Sequence, residues 1–472
     1  MVKKRWLHMN YYCLILSVLI LSSSLAYGAE EKLSFSRFGT VTVYSTVPHP
    51  SQVVLFISGD GGWNLGVVDM ARTLASLDAL VVGINIVHYV RELEKVNEKC
   101  SYPAADFELL SKFVQKKFNY KDYVTPILVG YSSGATLAYA TVVQAPPTTF
   151  NGAISLGFCP DLPLTKPLCK GSGLLWKTGP KGKGYSFLPA AHLEVPWVAL
   201  QGTIDQVCNP DETKSYVSQV KGAQIIILPK VGHGFAVPKN WLPQFKQAFL
   251  HIAQLPSAQP AAPKAAAIND LPVIEVPSAT SARDFMAVHI TGDGGWGVTD
   301  RGISEALAAQ GIPVVGLNSL KYFWQTKSPE QAAHDLARIL RYYLVAWKKE
   351  RAIIIGYSFG ADVLPFMVSR LSEEYRSKIK LIALLGPGQF AEFEFHITDW
   401  LQSSLSSTRF PVASEIEKLR GKDILCFYGE DDKGSLCAEP RHDSFKTIIL
   451  KGGHRIGSNF DSVVQKISEE LN

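Results

Sequence analysis

The sequence reads GYSSGATLAYA at Gly130–Ala140 and GYSFGADVLPF at Gly356–Phe366. Each stretch contains Gly-x-Ser-x-Gly, with a strand-like run before it (PILVG or AIIIG) and a helix-like run after it. On a strand-to-helix turn this motif exposes a nucleophilic serine, and the two glycines avoid crowding the strained backbone. Ser132 and Ser358 are therefore the candidate nucleophiles. For an isolated match, a purely structural turn is the alternative.

The chain of 472 residues repeats a whole set of landmarks around these serines. Short β-branched runs alternate with helical patterns, which predicts a parallel sheet with helices on both faces. We therefore predict an internal duplication that gives an α/β protein with two tandem α/β-hydrolase-like domains, each a mostly parallel sheet flanked by helices. The paired landmarks are VVLFISGDGGW (Val53–Trp63) and MAVHITGDGGW (Met286–Trp296), ALVVGIN and IPVVGLN, PWVALQGTID and DILCFYGEDD, and QIIILPKVGHGF and TIILKGGHRI.

Composition sets the predicted boundaries. Residues 1–28 are predicted to be a cleaved signal peptide, because a basic start is followed by a short apolar run and by small residues up to Gly28. An uncleaved anchor is the alternative. The first domain would span 30–254 and the second 273–472, with an Ala/Pro-rich linker at 255–272. No later segment is long and apolar enough to span a bilayer.

The charge and the motifs exclude several classes of partner. Removing residues 1–28 removes three basic residues and no acid, so the formal charge falls from +5 to +2. A nearly neutral protein offers no electrostatic case for nucleic acid. The sequence has no zinc-binding spacing and no phosphate loop, so we predict neither a metal nor a cofactor.

Six cysteines remain after residue 28, four in the first half and two in the second. Even numbers in an exported protein indicate disulfides, whereas free buried thiols are the alternative if the protein is not exported. The predicted pairs are Cys426–Cys437, which brackets a short loop, and, among three possible connectivities for the first half, Cys159–Cys169 with Cys100–Cys208.

A serine nucleophile needs a base that takes its proton and an acid that orients the base. In an α/β hydrolase the chain order is serine, acid, histidine, and both halves have it. The serine-to-aspartate spacing is 73 residues in the first half and 74 in the second, and the histidine follows after a further 28 or 22. The main predicted triad is Ser358, Asp432 and His454, and a possible second triad is Ser132, Asp205 and His233.

Other residues compete for these roles. Asp431 adjoins Asp432, and only the comparison with Asp205 favours the latter. His233 and His454 are preferred because each follows the last apolar strand of its half. The competing histidines, which are more often surface or core residues, are His192, His334, His396 and His442.

Acyl transfer also needs backbone N–H groups that stabilise the oxyanion. One donor should follow the nucleophile, and the other should come from the GDGGW loop after an early strand. A tight structural turn is the alternative for that loop. The candidate donors are Asp60, Gly61 and Ser133 in the first half and Asp293, Gly294 and Phe359 in the second.

The second half carries more specific signatures, namely SLKYFWQTKSPEQAAHDLARIL, GYSFGADVLPFMVSRL, LLGPGQFAEFEFHITDWL and CFYGEDDKGSLC. With them the chain resembles the VirJ/AcvB family of bacterial periplasmic virulence proteins, in its two-domain AcvB form. The resemblance implies a periplasmic enzyme that hydrolyses aminoacyl-phosphatidylglycerol, such as the lysyl or alanyl lipid, with Ser358 as nucleophile. The aminoacyl-phospholipid would be met at the membrane surface, and periplasmic proteins are possible partners.

Such a substrate has a cationic amino group that an acidic neighbour would help to bind. The acids near the motifs, each of which could instead be a solvated surface charge, are Asp362, Glu392, Glu394, Glu430 and Asp431. The aromatic residues that could contact lipid, with core packing as the preferred interpretation, are Tyr322, Phe323 and Trp324.

Two questions stay open from the sequence. A periplasmic interaction or accessory protein of a secretion or virulence system would use the hydrolase scaffold for binding alone. The first domain could be a second hydrolase, a degenerate binding copy or a scaffold. It also carries an insertion, Cys159–Phe187, which could cover Ser132 or contact anionic lipid through Lys166, Lys170, Lys177, Lys181 and Lys183.

Overall fold

The computed structural model describes residues 30–95, 97–255, 268–279, 283–395, 409–439, 443–454 and 460–471. The predicted signal peptide and most of the predicted linker lie outside these residues, so both stay predictions, as do the domain boundaries. Within the described ranges, no helix has both the length and the apolar character needed to cross a bilayer.

The first half alternates strands and helices. Its strands are β1 (Glu31–Phe35), β2 (Gly39–Tyr44), β3 (Gln52–Ile57), β4 (Ala79–Ile84), β5 (Ile127–Tyr131), β6 (Gly152–Leu156), β7 (Asp161–Leu162), β8 (Trp176–Thr178), β9 (Tyr185–Phe187), β10 (His192–Gly202) and β11 (Lys221–Leu228). Its helices are α1 (Leu65–Ala75), α2 (Ile86–Glu94), α3 (Pro103–Lys117), α4 (Ser133–Gln144), α5 (Pro210–Ser218) and α6 (Leu242–Gln254).

The second half repeats this alternation. Its strands are β12 (Val273–Val276), β13 (Phe285–Ile290), β14 (Val314–Leu317), β15 (Arg351–Tyr357), β16 (Ile379–Leu385), β17 (Phe390–Ala391), β18 (Phe410–Pro411), β19 (Asp423–Gly429) and β20 (Lys446–Leu450). Its helices are α7 (Val298–Ala309), α8 (Ser319–Tyr322), α9 (Pro329–Ala346), α10 (Phe359–Ser369), α11 (Glu373–Arg376), α12 (Val412–Ile416) and α13 (Phe460–Glu469).

The two large sheets share one strand order. The order β2-β4-β3-β5-β6-β10-β11 in the first half matches β12-β14-β13-β15-β16-β19-β20 in the second. In each sheet the leading strand is antiparallel to its neighbour and the other pairs are parallel, and β1 adds one further antiparallel edge strand to the first sheet. This topology confirms the predicted fold of two tandem α/β-hydrolase-like domains.

Burial explains why these segments form the sheets. The central strands β4, β6 and β13 are buried along their whole length, as expected for parallel strands covered by helices on both faces. Each sheet has a large hydrophobic cluster on either face. The carboxyl ends of the parallel strands therefore carry the loops that form a site.

The repeated tryptophan and glycine landmarks pack against each other. A Cβ atom on Gly83 of β4 would lie 2.0 Å from the Trp63 ring, and one on Gly316 of β14 would lie 2.2 Å from the Trp296 ring. Because both rings need a bare strand surface, a side chain at either glycine would displace its tryptophan. Each tryptophan ring thus packs its GDGGW loop against the adjacent strand.

A hydrophobic contact joins the two domains. Tyr123 of the first domain clusters with Leu320, Trp324 and Phe395 of the second, and the Trp324 indole N–H donates to the Tyr120 carbonyl at 2.8 Å. Trp324 is buried here, and the adjacent Tyr322 and Phe323 are buried in the second domain. These three aromatic residues therefore pack inside the protein, which confirms the preferred interpretation of core packing over the alternative of lipid contact.

The disulfides correct one predicted pairing. Cys426–Cys437 forms as predicted, but the first half has Cys100–Cys169 and Cys159–Cys208. The cause is the fold: residues 159 and 208 follow β6 and β10, which are adjacent parallel strands whose ends meet. Residues 100 and 169 are brought together by a backbone bridge between the neighbouring residues 101 and 168.

The insertion 159–187 folds around a small sheet in the order β7-β9-β8. Its lysines 170, 177, 181 and 183 are exposed, whereas Lys166 is partly covered. The contact of these lysines with anionic lipid stays a prediction.

Candidate active site

Both candidate nucleophiles lie on strained turns between a strand and a helix. Ser132 has φ 56° and ψ −124°, and Ser358 has φ 51° and ψ −120°, a region that residues with a side chain rarely adopt. A Cβ atom on Gly134 would lie 2.3 Å from the carbonyl oxygen of Ser58, which directly follows β3. A Cβ atom on Gly360 would lie 2.1 Å from the carbonyl oxygen of Ile290, at the end of β13. The motif needs glycine there because the turn presses against the neighbouring strand.

The second domain brings its three predicted residues together. Ser358 Oγ lies 2.8 Å from His454 Nε2, and His454 Nδ1 lies 2.7 Å from Asp432 Oδ2. The histidine side chain is 47% exposed, so the site is open to solvent. The rival Asp431 is exposed, and its N–H donates to the Gly452 carbonyl. The geometry is that of a nucleophile, a base and an orienting acid.

The first domain has the same arrangement in a more enclosed form. His233 Nε2 lies 2.9 Å from Ser132 Oγ, and His233 Nδ1 lies 2.9 Å from Asp205 Oδ2. The histidine is only 16% exposed and the acid is buried. Asp205 also accepts hydrogen bonds from the N–H groups of Val207 and Cys208. Asp205, Cys208 and His233 form a compact cluster of possible metal ligands, but it is accounted for by this triad and by the disulfide of Cys208.

The GDGGW loops form turns at the predicted oxyanion position. The Gly62 N–H donates to the Gly59 carbonyl at 2.9 Å, and the Gly295 N–H donates to the Gly292 carbonyl at 3.0 Å. The N–H of the fourth residue in each turn is thus occupied by a hydrogen bond within the turn. The second and third residues, Asp60 and Gly61 or Asp293 and Gly294, stay the predicted oxyanion donors. In the first domain the Ser133 hydroxyl donates to Asp60 Oδ1 at 2.6 Å. In the second, the matching residue Phe359 packs on an aromatic ring instead.

Two residues that sequence reasoning missed brace the second glycine loop. Asp300 accepts from the N–H groups of Gly292 and Gly297, at 3.2 and 3.3 Å. Lys112, a buried residue of α3 in the first domain, donates from Nζ to the Asp293 carbonyl at 3.4 Å. Because C=O and N–H point in opposite directions in a trans peptide, this contact turns the Gly294 N–H away from α3. The sequence could have indicated Asp300, because an acid in the first turn of a helix is a recognisable capping signal. It could not have indicated Lys112, because that contact depends on how the two domains pack.

One of the five candidate acids adjoins the nucleophile. Asp362 lies one helical turn after Ser358, keeps part of its surface accessible and accepts from the Gly388 N–H at 2.6 Å. Burial raises the pKa of its carboxyl well above the usual range, and the nearby charges of Asp293 and Glu392 raise this pKa further. Burial therefore disfavours the ionised form of this carboxyl, whereas a cationic group bound beside it would favour ionisation.

The remaining acids are placed differently. Glu392 pairs with Arg409 at 2.7 Å, and Glu394 pairs with Lys116 of the first domain at 3.3 Å. Glu430 and Asp431 are exposed on the loop after β19. Asp362 is thus the candidate acid that lies on the same helix as the nucleophile, one turn after Ser358.

The rival histidines lie apart from both serines or outside the described residues. His192 is exposed at the start of β10, and His334 is 73% exposed on α9 beside Asp335. His396 and His442 fall outside the described residues.

Comparison with solved structures finds hydrolases that match over about half of this chain. A putative dienelactone hydrolase from Klebsiella pneumoniae subsp. pneumoniae is 14% identical, with 48% of this chain and 99% of that chain covered and a TM-score of 0.35. An α/β serine hydrolase homologue from Coxiella burnetii is 16% identical, with 48% and 96% covered and a TM-score of 0.31. An α/β serine hydrolase without a lid from Xanthomonas campestris is 19% identical, with 50% and 97% covered and a TM-score of 0.31. A search of curated proteins finds no match.

The family comparison covers both domains. The family model described as bacterial virulence protein (VirJ) matches residues 51–153 and 284–472, which is well over half of the chain. The three disulfides and this bacterial family are consistent with an exported protein. With two tandem α/β-hydrolase-like domains and two copies of the Gly-x-Ser-x-Gly turn (the serine elbow), the chain belongs to the VirJ family of bacterial virulence proteins.

Proposed function

We propose that the protein is a periplasmic serine hydrolase that cleaves the aminoacyl ester of aminoacyl-phosphatidylglycerol, in its lysyl or alanyl form. The products are phosphatidylglycerol and the free amino acid, and the reaction takes place in the second domain. The observation that carries this proposal is Asp362, an acid one helical turn from Ser358. The first domain has Thr136 at the matching position, so the acid is not a requirement of the fold.

The residues of the second domain supply the chemistry in two steps. His454 takes the Ser358 proton as the serine attacks the ester carbonyl, and it then gives this proton to the departing glycerol hydroxyl. Water, activated by the same imidazole, releases the amino acid from the serine. Asp432 stays ionised and stabilises the imidazolium, while the glycine loop and the Phe359 N–H stabilise the oxyanion.

The substrate's ammonium group gives Asp362 its role. An ionised carboxylate attracts an ammonium most strongly where protein replaces water, as it does around this side chain. The ammonium of an aminoacyl ester lies one carbon from the ester carbonyl, so it must bind close to the serine. An acid at the first turn of α10 meets that requirement.

The activity is tested with the purified protein and vesicles that contain lysyl- or alanyl-phosphatidylglycerol. We expect release of free amino acid, and slower release when the amino group of the lipid is acetylated and carries no charge. The measurement is amino acid liberated over time. If neither charged lipid is cleaved, the proposed function is wrong.

Replacing Asp362 by asparagine is expected to raise the KM for lysyl-phosphatidylglycerol by about tenfold, since a hydrogen bond to a charged group contributes about 1.5–3 kcal/mol. Because the pKa of Asp362 is raised, its ionised fraction grows as the pH rises, so the wild-type KM should fall with pH over the range in which the substrate's amino group stays protonated. The variant should lose this trend. Glu430→Gln, an exposed acid on another loop, is the control, and an equal effect in both variants would contradict the assigned role.

A further inference from the structure

The first domain holds a complete second site that the proposed function does not use. Its serine, histidine and aspartate are within hydrogen-bonding distance. The acid is fixed by further hydrogen bonds from Gln201 and from two backbone N–H groups. Cys208, which supplies one of those N–H groups, is tied by its disulfide to Cys159 at the start of the insertion. Nothing in this geometry indicates a degraded copy.

A pocket of about 250 Å³ adjoins this site. Asp60 and Ser133, the two linked residues of the predicted oxyanion region, form part of its lining. The pocket is smaller than the 300–1,000 Å³ of typical ligand sites, yet larger than a cavity of about 150 Å³ that takes benzene. It therefore suits a short aliphatic or aromatic group attached to an ester carbonyl.

Most of the lining residues of the pocket are apolar, and its charged members are Asp60, Arg91 and Glu94. Helix α2 contributes Ile86, Val87 and Val90, and the insertion contributes residues 162–164. Glu94 of α2 accepts from the Thr165 N–H at 2.8 Å, so the insertion is anchored to the helix at the pocket edge. The insertion, whose purpose was open from the sequence, thus shapes a binding pocket beside Ser132.

The position that carries the acid in the second domain is neutral here. Thr136, one turn after Ser132, donates its hydroxyl to the Cys159 carbonyl at 2.5 Å. An aminoacyl ester would therefore lack, at this position of the helix, the carboxylate that Asp362 provides in the second domain. The two elbows, alike in backbone and triad, offer different environments to the acyl group.

We propose that the first domain is a second serine esterase, which hydrolyses esters of short apolar carboxylic acids. Ser132 Oγ attacks the carbonyl and passes its proton to His233, which gives it to the leaving alcohol. Water then gives a proton to His233 and attacks the acyl carbon. The bond between this carbon and Ser132 Oγ breaks, the carboxylic acid leaves, and His233 returns the proton to Ser132. Asp205 stays ionised throughout and holds the imidazolium.

The test uses the full-length protein and p-nitrophenyl butyrate. We expect Ser132→Ala to lower kcat/KM by at least about 100-fold, whereas Ser358→Ala keeps most of this activity and loses amino acid release. The proposal would be overturned if the Ser358→Ala variant, and not the Ser132→Ala variant, lost butyrate ester cleavage. It would also be overturned if the wild-type protein did not cleave this ester. Since the two activities are measured separately, failure here leaves the proposed function of the second domain standing.

A pocket variant tests the substrate class and does not alter the triad. Val87 is 45% exposed, so Val87→Trp can fill the pocket from the helix surface without disturbing the core. We expect kcat/KM to fall about tenfold for the butyrate ester and less for the acetate ester, at an unchanged Tm. Leu188→Trp, an exposed position of the first domain outside the pocket lining, is the control. Equal losses for both esters would overturn the pocket assignment.

Discussion

Replacing Ser358 by alanine is expected to reduce the release of amino acid from aminoacyl-phosphatidylglycerol by at least about 10³-fold. The hydroxyl lies 2.8 Å from His454 Nε2 and is the atom that would carry the acyl group. Without it, oxyanion stabilisation and substrate binding are all that remain, and they sustain only residual catalysis. The measurement is kcat for amino acid release from vesicles, with Tm recorded to show that the variant folds.

The matched control is Ser132→Ala, which makes the same change on an elbow with nearly the same φ and ψ. Any cost of placing alanine on a strained turn is therefore shared, and only the Ser358 variant should lose amino acid release. Labelling with a fluorophosphonate probe adds a second measurement. A protein that uses this scaffold for binding alone would carry no label at either serine, and that result would contradict an enzymatic role.

The sequence was sufficient to predict the fold and to group the site residues. Gly-x-Ser-x-Gly between a strand and a helix is a local pattern, and the structure shows that close backbone approach at Gly134 and Gly360 requires it. The acid and the histidine follow strands whose carboxyl ends meet at one edge of a parallel sheet, so chain order alone brings them near the serine. Their catalytic roles stay predictions, which the variants above test.

Features that depend on which segments become neighbours in the fold could not be predicted from the sequence. The pairing of Cys159 with Cys208 follows from the adjacency of β6 and β10, which spacing along the chain does not show. The contact of Lys112 with the Asp293 carbonyl depends on how one domain packs on the other. The insertion likewise gained an interpretation only when residues 162–164 were found beside α2.

Replacing Asp432 by asparagine is expected to lower kcat for amino acid release by about 10³–10⁴-fold while the fold is kept. His454 must carry its proton on Nδ1, facing the acid, so that Nε2 is free to accept the serine proton. An asparagine amide can donate to Nδ1, which stabilises the opposite tautomer and leaves an N–H facing Ser358. The imidazolium that forms during the reaction also loses its counter-charge.

Asp431→Asn is the matched control, because it removes the same charge one residue away on the same loop. Asp431 is exposed, whereas Asp432 accepts the histidine contact at 2.7 Å, so only the Asp432 variant should lose activity. The same pair of variants decides between the two acids that the sequence offered. If the Asp431 variant lost more activity than the Asp432 variant, the acid of the triad would have to be reassigned, and the geometry at His454 would not be that of the working enzyme.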